Sequence, residues 1–443
     1  MKTRRFILLS LVLPGIAYAG QVGGAPKVTI EGRMDTTWGL RHQNAPYDRM
    51  YSFTPGYTIS PDLRDHAIVN DTKIDIKVNS PEDCEIAYGG LIRLNADTST
   101  ATSGEDSIAD KTMFFVQSNR FGRIEGGNYP GAGAMFEMDI STYAKAGYGV
   151  EGFWLKWMND VALVVLPGPT PVLLSGLSGF RYLASPNLPS NYSGLFYSDA
   201  PKLTYYTKPL DDLTIGVSYI PDLDSTGTVV GIAPLTGGPV DSQRFALGYR
   251  PTYRNIISGG AQYKKKLADW VFTMNVAGEI GSAKKYRNTD YIRDLRAYEV
   301  GGIVSYKTYS AGATYGNWGK TGTYRAQFPG TKQGASYWTL TASQQMEKLG
   351  YSLTYIHSRR AGGLEGVGSQ LTNNSAPFFT PLQLPEFSDT SDNRMKALSF
   401  GAQYLVAPGL LPYTEVTGFR FSSAAETPSN HGYVWLTGIR MNF

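Results

Sequence analysis

The chain has one cysteine and four histidines in 443 residues. A lone thiol at Cys84 forms no internal disulfide, so nothing here is a disulfide-stapled scaffold. The histidines, His42, His66, His357 and His431, stand far apart, and none belongs to a metal-ligand or nucleophile pattern. Phosphate-loop, dinucleotide-binding and EF-hand spacings are missing too, so no enzyme activity, cofactor or metal is expected. Long apolar runs are equally scarce. Residues 6–12 and 161–166 are the two strongly apolar patches, and Pro167 follows the second directly. Neither approaches the ~20 residues of a membrane-spanning helix. Charge of one sign is scarce as well: the formal net charge is +4, and with Lys2, Arg4 and Arg5 set aside about +1 remains. That balance gives no reason to expect nucleic acid as a partner.

Those three basic residues introduce the first apolar patch. Pro14 and Gly15 follow, and then Ala17-Tyr18-Ala19 before Gly20. A basic start, a short apolar core and a small-x-small site make a secretory leader, with cleavage expected after Ala19. The expected organisation is a leader at 1–19 and one barrel domain at 20–443.

What the mature chain does have is alternation, with 50 Gly and 30 Tyr among its residues. In 27–41, Val28, Ile30, Met34, Trp38 and Leu40 alternate with Thr29, Glu31, Arg33, Asp35 and Thr37. Ile74, Ile76 and Val78 alternate with Lys73, Asp75 and Lys77, and the last run sets Tyr433, Trp435, Ile439, Met441 and Phe443 against Arg440 and Asn442. Period-two patterning of this kind marks strands. A soluble sandwich would place the apolar faces inside, whereas a membrane barrel places them against lipid with the polar faces around water. Three features favour the barrel. Many runs match the 9–11 residues of a tilted membrane strand. Short turns alternate with long connections at 42–66, 96–110, 128–200, 221–241, 318–334 and 359–393. Tyrosines and Trp38, Trp270, Trp318, Trp338 and Trp435 lie near strand or rim positions, as interfacial belts require.

Sixteen strands are expected, at about 27–41, 67–79, 84–95, 111–118, 120–127, 201–208, 212–220, 242–264, 269–281, 296–306, 309–318, 335–344, 349–358, 394–406, 411–422 and 431–443. The even count returns both termini to the short-turn rim. Pro251 interrupts the eighth, which is kept as one long strand. The fold class is all-β: a 16-stranded antiparallel transmembrane β-barrel with a long third loop folded into the lumen. A barrel of this size is too wide for wall side chains to fill, so the 128–200 connection is the natural plug. Its opening carries Glu137 and Asp139, and its middle carries Phe153, Trp154, Trp157, Leu163, Leu166 and Leu174. Such a stretch is expected to pack within the lumen or to cap a subunit interface. Alternation points Arg33, Lys73 and Arg93 inward, with Arg123 beside them. A positive wall opposite Glu137 and Asp139 would set up a transverse field that filters solutes by polarity as well as size.

The segment Phe114-Phe115-Val116-Gln117-Ser118-Asn119-Arg120-Phe121-Gly122-Arg123-Ile124-Glu125-Gly126-Gly127, then Pro130, resembles the hairpin that leads into the third loop of the general diffusion porins of Gram-negative outer membranes. Residues 198–206 followed by 213–219 are similar to the next hairpin of that family. The stretch from Tyr433 to Phe443, with phenylalanine last, looks like the signal read by the outer-membrane assembly machinery. The resemblance implies an outer-membrane location among lipid, a homotrimer, and passive diffusion of small hydrophilic solutes and ions. It also implies that Arg33, Arg93 and Arg123 face Glu137 and Asp139. Two departures bear on pore width and selectivity: Gly127-Asn128 stands where porins often have Gly-Arg, and the third loop is longer and more apolar. Two other functions fit the same alternation, a channel specialised for one substrate and a surface adhesion or structural envelope protein.

Overall fold

A computed structural model of the chain describes residues 26–44, 50–52, 65–81, 85–96, 109–158, 163–166, 172–174, 188–189, 200–223, 253–283, 293–321, 334–361, 392–422 and 429–443. The expected leader at 1–19 and Cys84 lie outside them. In chain order the strands are β1 (Lys27–Gln43), β2 (Met50–Ser52), β3 (His66–Asn79), β4 (Ala87–Asn95), β5 (Ala109–Ser118), β6 (Gly122–Asn128), β7 (Leu163–Leu166), β8 (Val172–Leu174), β9 (Lys202–Tyr206), β10 (Leu213–Asp222), β11 (Tyr253–Leu267) and β12 (Trp270–Ala283). They continue with β13 (Leu295–Tyr306), β14 (Tyr309–Gly319), β15 (Ala335–Gln345), β16 (Leu349–Ala361), β17 (Asp392–Tyr404), β18 (Leu410–Ser422) and β19 (Asn430–Asn442).

Sixteen of these close into one barrel, in which β1 pairs with both β3 and β19; β2, β7 and β8 form a separate small sheet. All of the barrel pairings are antiparallel, as a meander requires. The eighth barrel strand begins at Tyr253, two residues past Pro251, and runs to Leu267. The expected portion 242–252 lies outside the described residues. The apolar patch expected to plug or cap contributes β7, which pairs in parallel with β2 from the first long connection.

Side-chain exposure is the inverse of a soluble protein's. Val28, Ile30, Ile68, Met274, Leu340 and Ile439 are exposed, while Asp35, Thr37, Asn275, Glu279, Thr339 and Glu415 are buried. Apolar groups outside and polar groups inside suit a barrel whose solvent is lipid. Closure satisfies the main chain, since every interior strand has a neighbour on both sides. The seam between the chain ends is tight. Gly32 and Phe443 exchange two main-chain hydrogen bonds of 2.8 and 3.0 Å, and the Phe443 ring lies where a Cβ on residue 32 would project. Aromatic rings mark the outer face: Trp38 meets Trp435 edge-on at 5.8 Å, and Trp270 lies 4.5 Å from Tyr306. Trp318 departs from the expected belt. It is turned inward and packs with Ala132, Phe136 and Leu188.

Leu340 lies mid-strand on the outer face of β15, opposite Ala313 and Tyr355. Leu340→Arg is expected to destabilise the barrel in lipid vesicles by about 2–4 kcal/mol. Reversible unfolding by denaturant measures this; an unchanged midpoint would contradict an outward, lipid-facing position.

Candidate functional site

Between β6 and β9 the third connection turns inward. Its described part opens with a four-residue helix, α1 (Ala132–Met135), followed by 3-10 turns at Ile140–Thr142, Gly149–Glu151 and Phe153–Lys156. No long helix forms because glycines punctuate the stretch, so many backbone N–H groups lack partners within the loop. Inward-facing side chains of the barrel supply them. Ser218 on β10 accepts from the Ala132 amide at 2.6 Å. Glu299 on β13 accepts from the Met138 amide at 2.5 Å and from the Tyr337 hydroxyl.

Farther along, three strands share the same task. Ser352 and Thr354 on β16 accept from Lys145 and Val150, Gln403 on β17 accepts from Ala146, and Glu415 on β18 accepts from Gly149, at 2.8–3.0 Å. On β19, Arg440 donates to the Ala146 carbonyl at 3.0 Å and to Asp35 at 2.8 Å. Asp35 is also held by the Tyr413 hydroxyl at 2.6 Å. Residues 146, 148 and 149 have positive φ, and two of them, Ala146 and Tyr148, are not glycine. That conformation is costly for L side chains and persists here because the surrounding bonds impose it.

An apolar cluster completes the docking. Trp154 is fully buried and stacks on Phe419 at 5.6 Å, with Ile140, Val150, Trp157, Ile356 and Leu436 around it. Gly39 on β1 leaves room for the Trp157 ring, which lies 2.7 Å from where a Cβ would stand. The described loop thus covers the inner faces of the strands from β9 round to β19. On β3 and β4 most inward-facing residues are only half-buried.

That uncovered sector carries the charges expected from alternation, but each arginine has a partner on the wall itself. Arg33 on β1 pairs with Asp71 on β3 at 2.6 Å. Arg93 on β4 forms a forked pair with Asp75 on β3 at 2.7 and 2.8 Å. Arg123 pairs with Glu125 along β6 at 2.5 Å and lies 3.8 Å above the Phe115 ring. Lys77 reaches Glu31 across strands at 2.6 Å. Lys73 lies directly opposite Arg33 in the register.

The two expected loop acids have different surroundings. Glu137 is buried and accepts from the Leu188 amide, so it holds the loop to itself. Asp139 is exposed and caps the first 3-10 turn by accepting from the Ser141 amide at 2.8 Å. The loop meets the wall instead at Tyr148, whose hydroxyl accepts from Arg33 at 2.8 Å and whose ring lies 4.2 Å from the Arg440 guanidinium. Beside Asp139, Glu151 has one carboxyl oxygen shut off from solvent and without a hydrogen-bond partner. Burial pushes the Glu151 carboxyl well above the usual range, and the neighbouring Asp139 pushes it further. Tyr148 and Glu151 carry no periodic signal in the sequence, because the loop has no regular face. At the carboxyl end, Tyr433 and Phe443 are exposed on the outer side.

A family model described as Gram-negative porin matches residues 7–424. The chain belongs to the Gram-negative porin family. This porin is an outer-membrane β-barrel protein. Among curated relatives, an uncharacterized protein of Rickettsia felis (strain URRWXCal2) is 26% identical over 398 residues, covering 81% of each chain. One of Rickettsia prowazekii (strain Madrid E) is 24% identical over 282 residues, 55% of this chain and 57% of the relative, so that match spans little more than half of the relative's length. Among solved structures, OmpT, an outer membrane protein of Vibrio cholerae in its trimer form, superposes with a TM-score of 0.51 at 13% identity, covering 95% of this chain and 100% of that one. At that identity the likeness concerns the fold alone.

The raised Glu151 value gives a signed prediction. A carboxyl that holds its proton more tightly when packed contributes stability at low pH that is lost as pH rises from the ordinary carboxylate range through the folded value. Thermal stability of the native porin should therefore fall, relative to Glu151→Gln, as pH rises above that range. Parallel stability curves for the two proteins would contradict the assignment.

Proposed function

We propose that the porin lets small hydrophilic solutes and ions diffuse passively through a water-filled passage between the docked third loop and the wall formed by β1, β3, β4 and β5. The observation that carries this reading is the uncovered charged sector, where Arg33 and Arg93 keep 28% and 27% of their side-chain surface open. Ion-paired side chains that remain partly hydrated suit a wet passage, whereas a sealed interior would favour apolar replacement. Because each arginine has an acid beside it, the wall is compensated along its length. The transverse field then arises from the spacing of paired charges and is weaker than a bare positive wall would give. Selection rests on size and polarity, with little preference for either ion sign.

Arg33, Lys73 and Arg93 are cations of this wall, with Arg123 beside it on β6, and Asp139 is the loop acid that faces water. Glu137 serves the constriction by holding the loop in shape. The homotrimer is the proposed assembly, in keeping with the trimer form of the Vibrio cholerae protein. Residues 1–19 act as the export leader, and Tyr433 and Phe443 present the assembly signal on the outer face.

Planar-bilayer recording tests the reading. Purified folded protein should insert in discrete conductance steps, with a reversal potential near zero in a salt gradient. Charge removal in Arg33→Ala with Arg93→Ala leaves Asp71 and Asp75 uncompensated and should shift reversal toward cation preference. Asp71→Asn with Asp75→Asn should shift it toward anions. Folded protein without conductance, or reversal unmoved by both pairs, would overturn the proposal.

A further inference from the structure

One lysine of the docked loop stands apart from the paired cations of the interior. Arg33, Arg93 and Arg123 have acids beside them, Lys202 donates to the Tyr129 carbonyl, and Arg440 donates to Asp35. Lys145 is half-buried, yet its ammonium meets neither an acid nor a hydrogen-bond acceptor among the described residues. Burial pulls this ammonium below the usual lysine range, and no neighbouring charge offsets the pull. A cation held in this way lacks a counter-charge.

The wall fixes where that lysine lies. Its own amide donates to Ser352 at 2.8 Å, and the next amide, of Ala146, donates to Gln403 at 3.0 Å. Gln345 on β15, Gly350 on β16 and Gln403 on β17 stand opposite one another in one inward row near the short-turn rim. A Cβ on residue 350 would stand 3.3 Å from the Lys145 Cδ, 2.7 Å from the Gln345 Oε1 and 3.2 Å from the Gln403 Cγ. The glycine therefore leaves a gap, and the lysine stem lies in it between two amide side chains. One row farther into the barrel, Ser305, Ser310, Ser343 and Ser352 face one another in turn on β13–β16. None of these residues is an acid. Glu415, two strands beyond Ser352, is buried against the Gly149 amide, and Glu347 stands next to Lys348 in the exposed short turn.

A fixed ammonium flanked by amides and hydroxyls, with no carboxylate competing for it, matches an oxyanion. The ammonium supplies a charge-assisted bond. Gln403 spends its carbonyl on the Ala146 amide and so keeps its NH2 group to donate, and the Ser343 hydroxyl can donate as well. A cation would meet like charge here, and a neutral solute would leave the ammonium unmatched. We infer that Lys145, Gln345, Gln403 and Ser343 form a binding site for the oxyanion group, phosphate or carboxylate, of a small solute in the lumen. The site rests on the wet lumen proposed above and adds a solute class to it. Asp75 and Arg93 of the paired wall stand five and six strands away round the barrel, which puts even the nearer roughly 24 Å off along the wall at ~4.8 Å per strand. That exceeds the ~8 Å Debye length at physiological salt, so the two sets of charges act separately.

Broadening of the phosphorus resonance of inorganic phosphate, and of the carboxyl resonance of carbon-labelled acetate, measures binding to the folded full-length protein in non-ionic detergent without any current. The native protein should broaden at least one probe saturably, and the more tightly bound probe identifies the group. Lys145→Gln should weaken that binding about tenfold, through loss of one charge-assisted bond. Gly350→Ala fills the gap beneath the lysine stem and should weaken it by less. Lys348→Gln removes the same charge from the exposed turn and should leave it unchanged. Native protein that broadens neither probe would overturn the site. Equal weakening by Lys145→Gln and Lys348→Gln would overturn it too, and would leave only general charge attraction. Conductance recorded on the same preparations separates the two readings: a conducting protein without binding sinks this site alone, and binding without conductance sinks the passage alone.

Discussion

Main-chain hydrogen bonding in hydrocarbon is the constraint from which the rest of this structure follows. An unpaired N–H or C=O in lipid costs several kcal/mol, so a sheet can cross only if its first and last strands meet. Here they meet between β1 and β19, with Gly32 and Phe443 bonded at the seam. Once the ring is closed, the two faces of every strand see different solvents. Outward positions take Val, Ile, Leu and aromatic residues, and inward positions take Thr, Ser, Asn, Glu and Arg. The even strand number brings both ends of the barrel to the short-turn rim, where the final phenylalanine lies beside the first strand.

Inward polar residues then divide into two kinds with different tasks. Ser218, Glu299, Ser352, Thr354, Gln403 and Glu415 satisfy the backbone of the third loop. They turn one side of the barrel into a docking surface for a segment that has little regular structure of its own. Asp35, Arg440 and Tyr413 brace that surface as a buried, hydrogen-bonded group. Along β1, β3 and β4 the inward residues are instead paired cations and acids that stay partly hydrated. These partly exposed ion pairs lie together in one sector, and the arginine–tyrosine contact between Arg33 and Tyr148 marks where the loop edge meets it.

The strands were legible in the sequence because lipid outside and water inside impose a strict period of two. Boundaries agree within a few residues for runs such as 27–41 and 309–318. The eighth strand was harder, since a proline near its start masks where pairing begins. Facing was legible too: Arg33, Lys73 and Arg93 do lie on the inward side. Register was not, because alternation assigns a face without saying which residue lies opposite. Asp71 and Asp75 therefore could not be seen as partners of Arg33 and Arg93 from one strand at a time. The loop was the least legible part. Glu137 and Asp139 are two residues apart, yet one is buried against Leu188 and the other faces solvent, because the chain between them follows no repeating geometry. Trp318 was misplaced for a related reason, since tryptophan serves interfaces and interiors alike.

Spin labels placed singly at 72, 73, 74, 75, 76, 77 and 78 on β3, in protein reconstituted into vesicles, test the division of solvents most directly. Labels at 72, 74, 76 and 78 should relax with oxygen dissolved in lipid, and labels at 73, 75 and 77 with a water-soluble nickel complex, in strict opposition along the strand. Collisions with the nickel complex that are low at all seven positions, or that show no period of two, would contradict a wall with lipid on one side and water on the other.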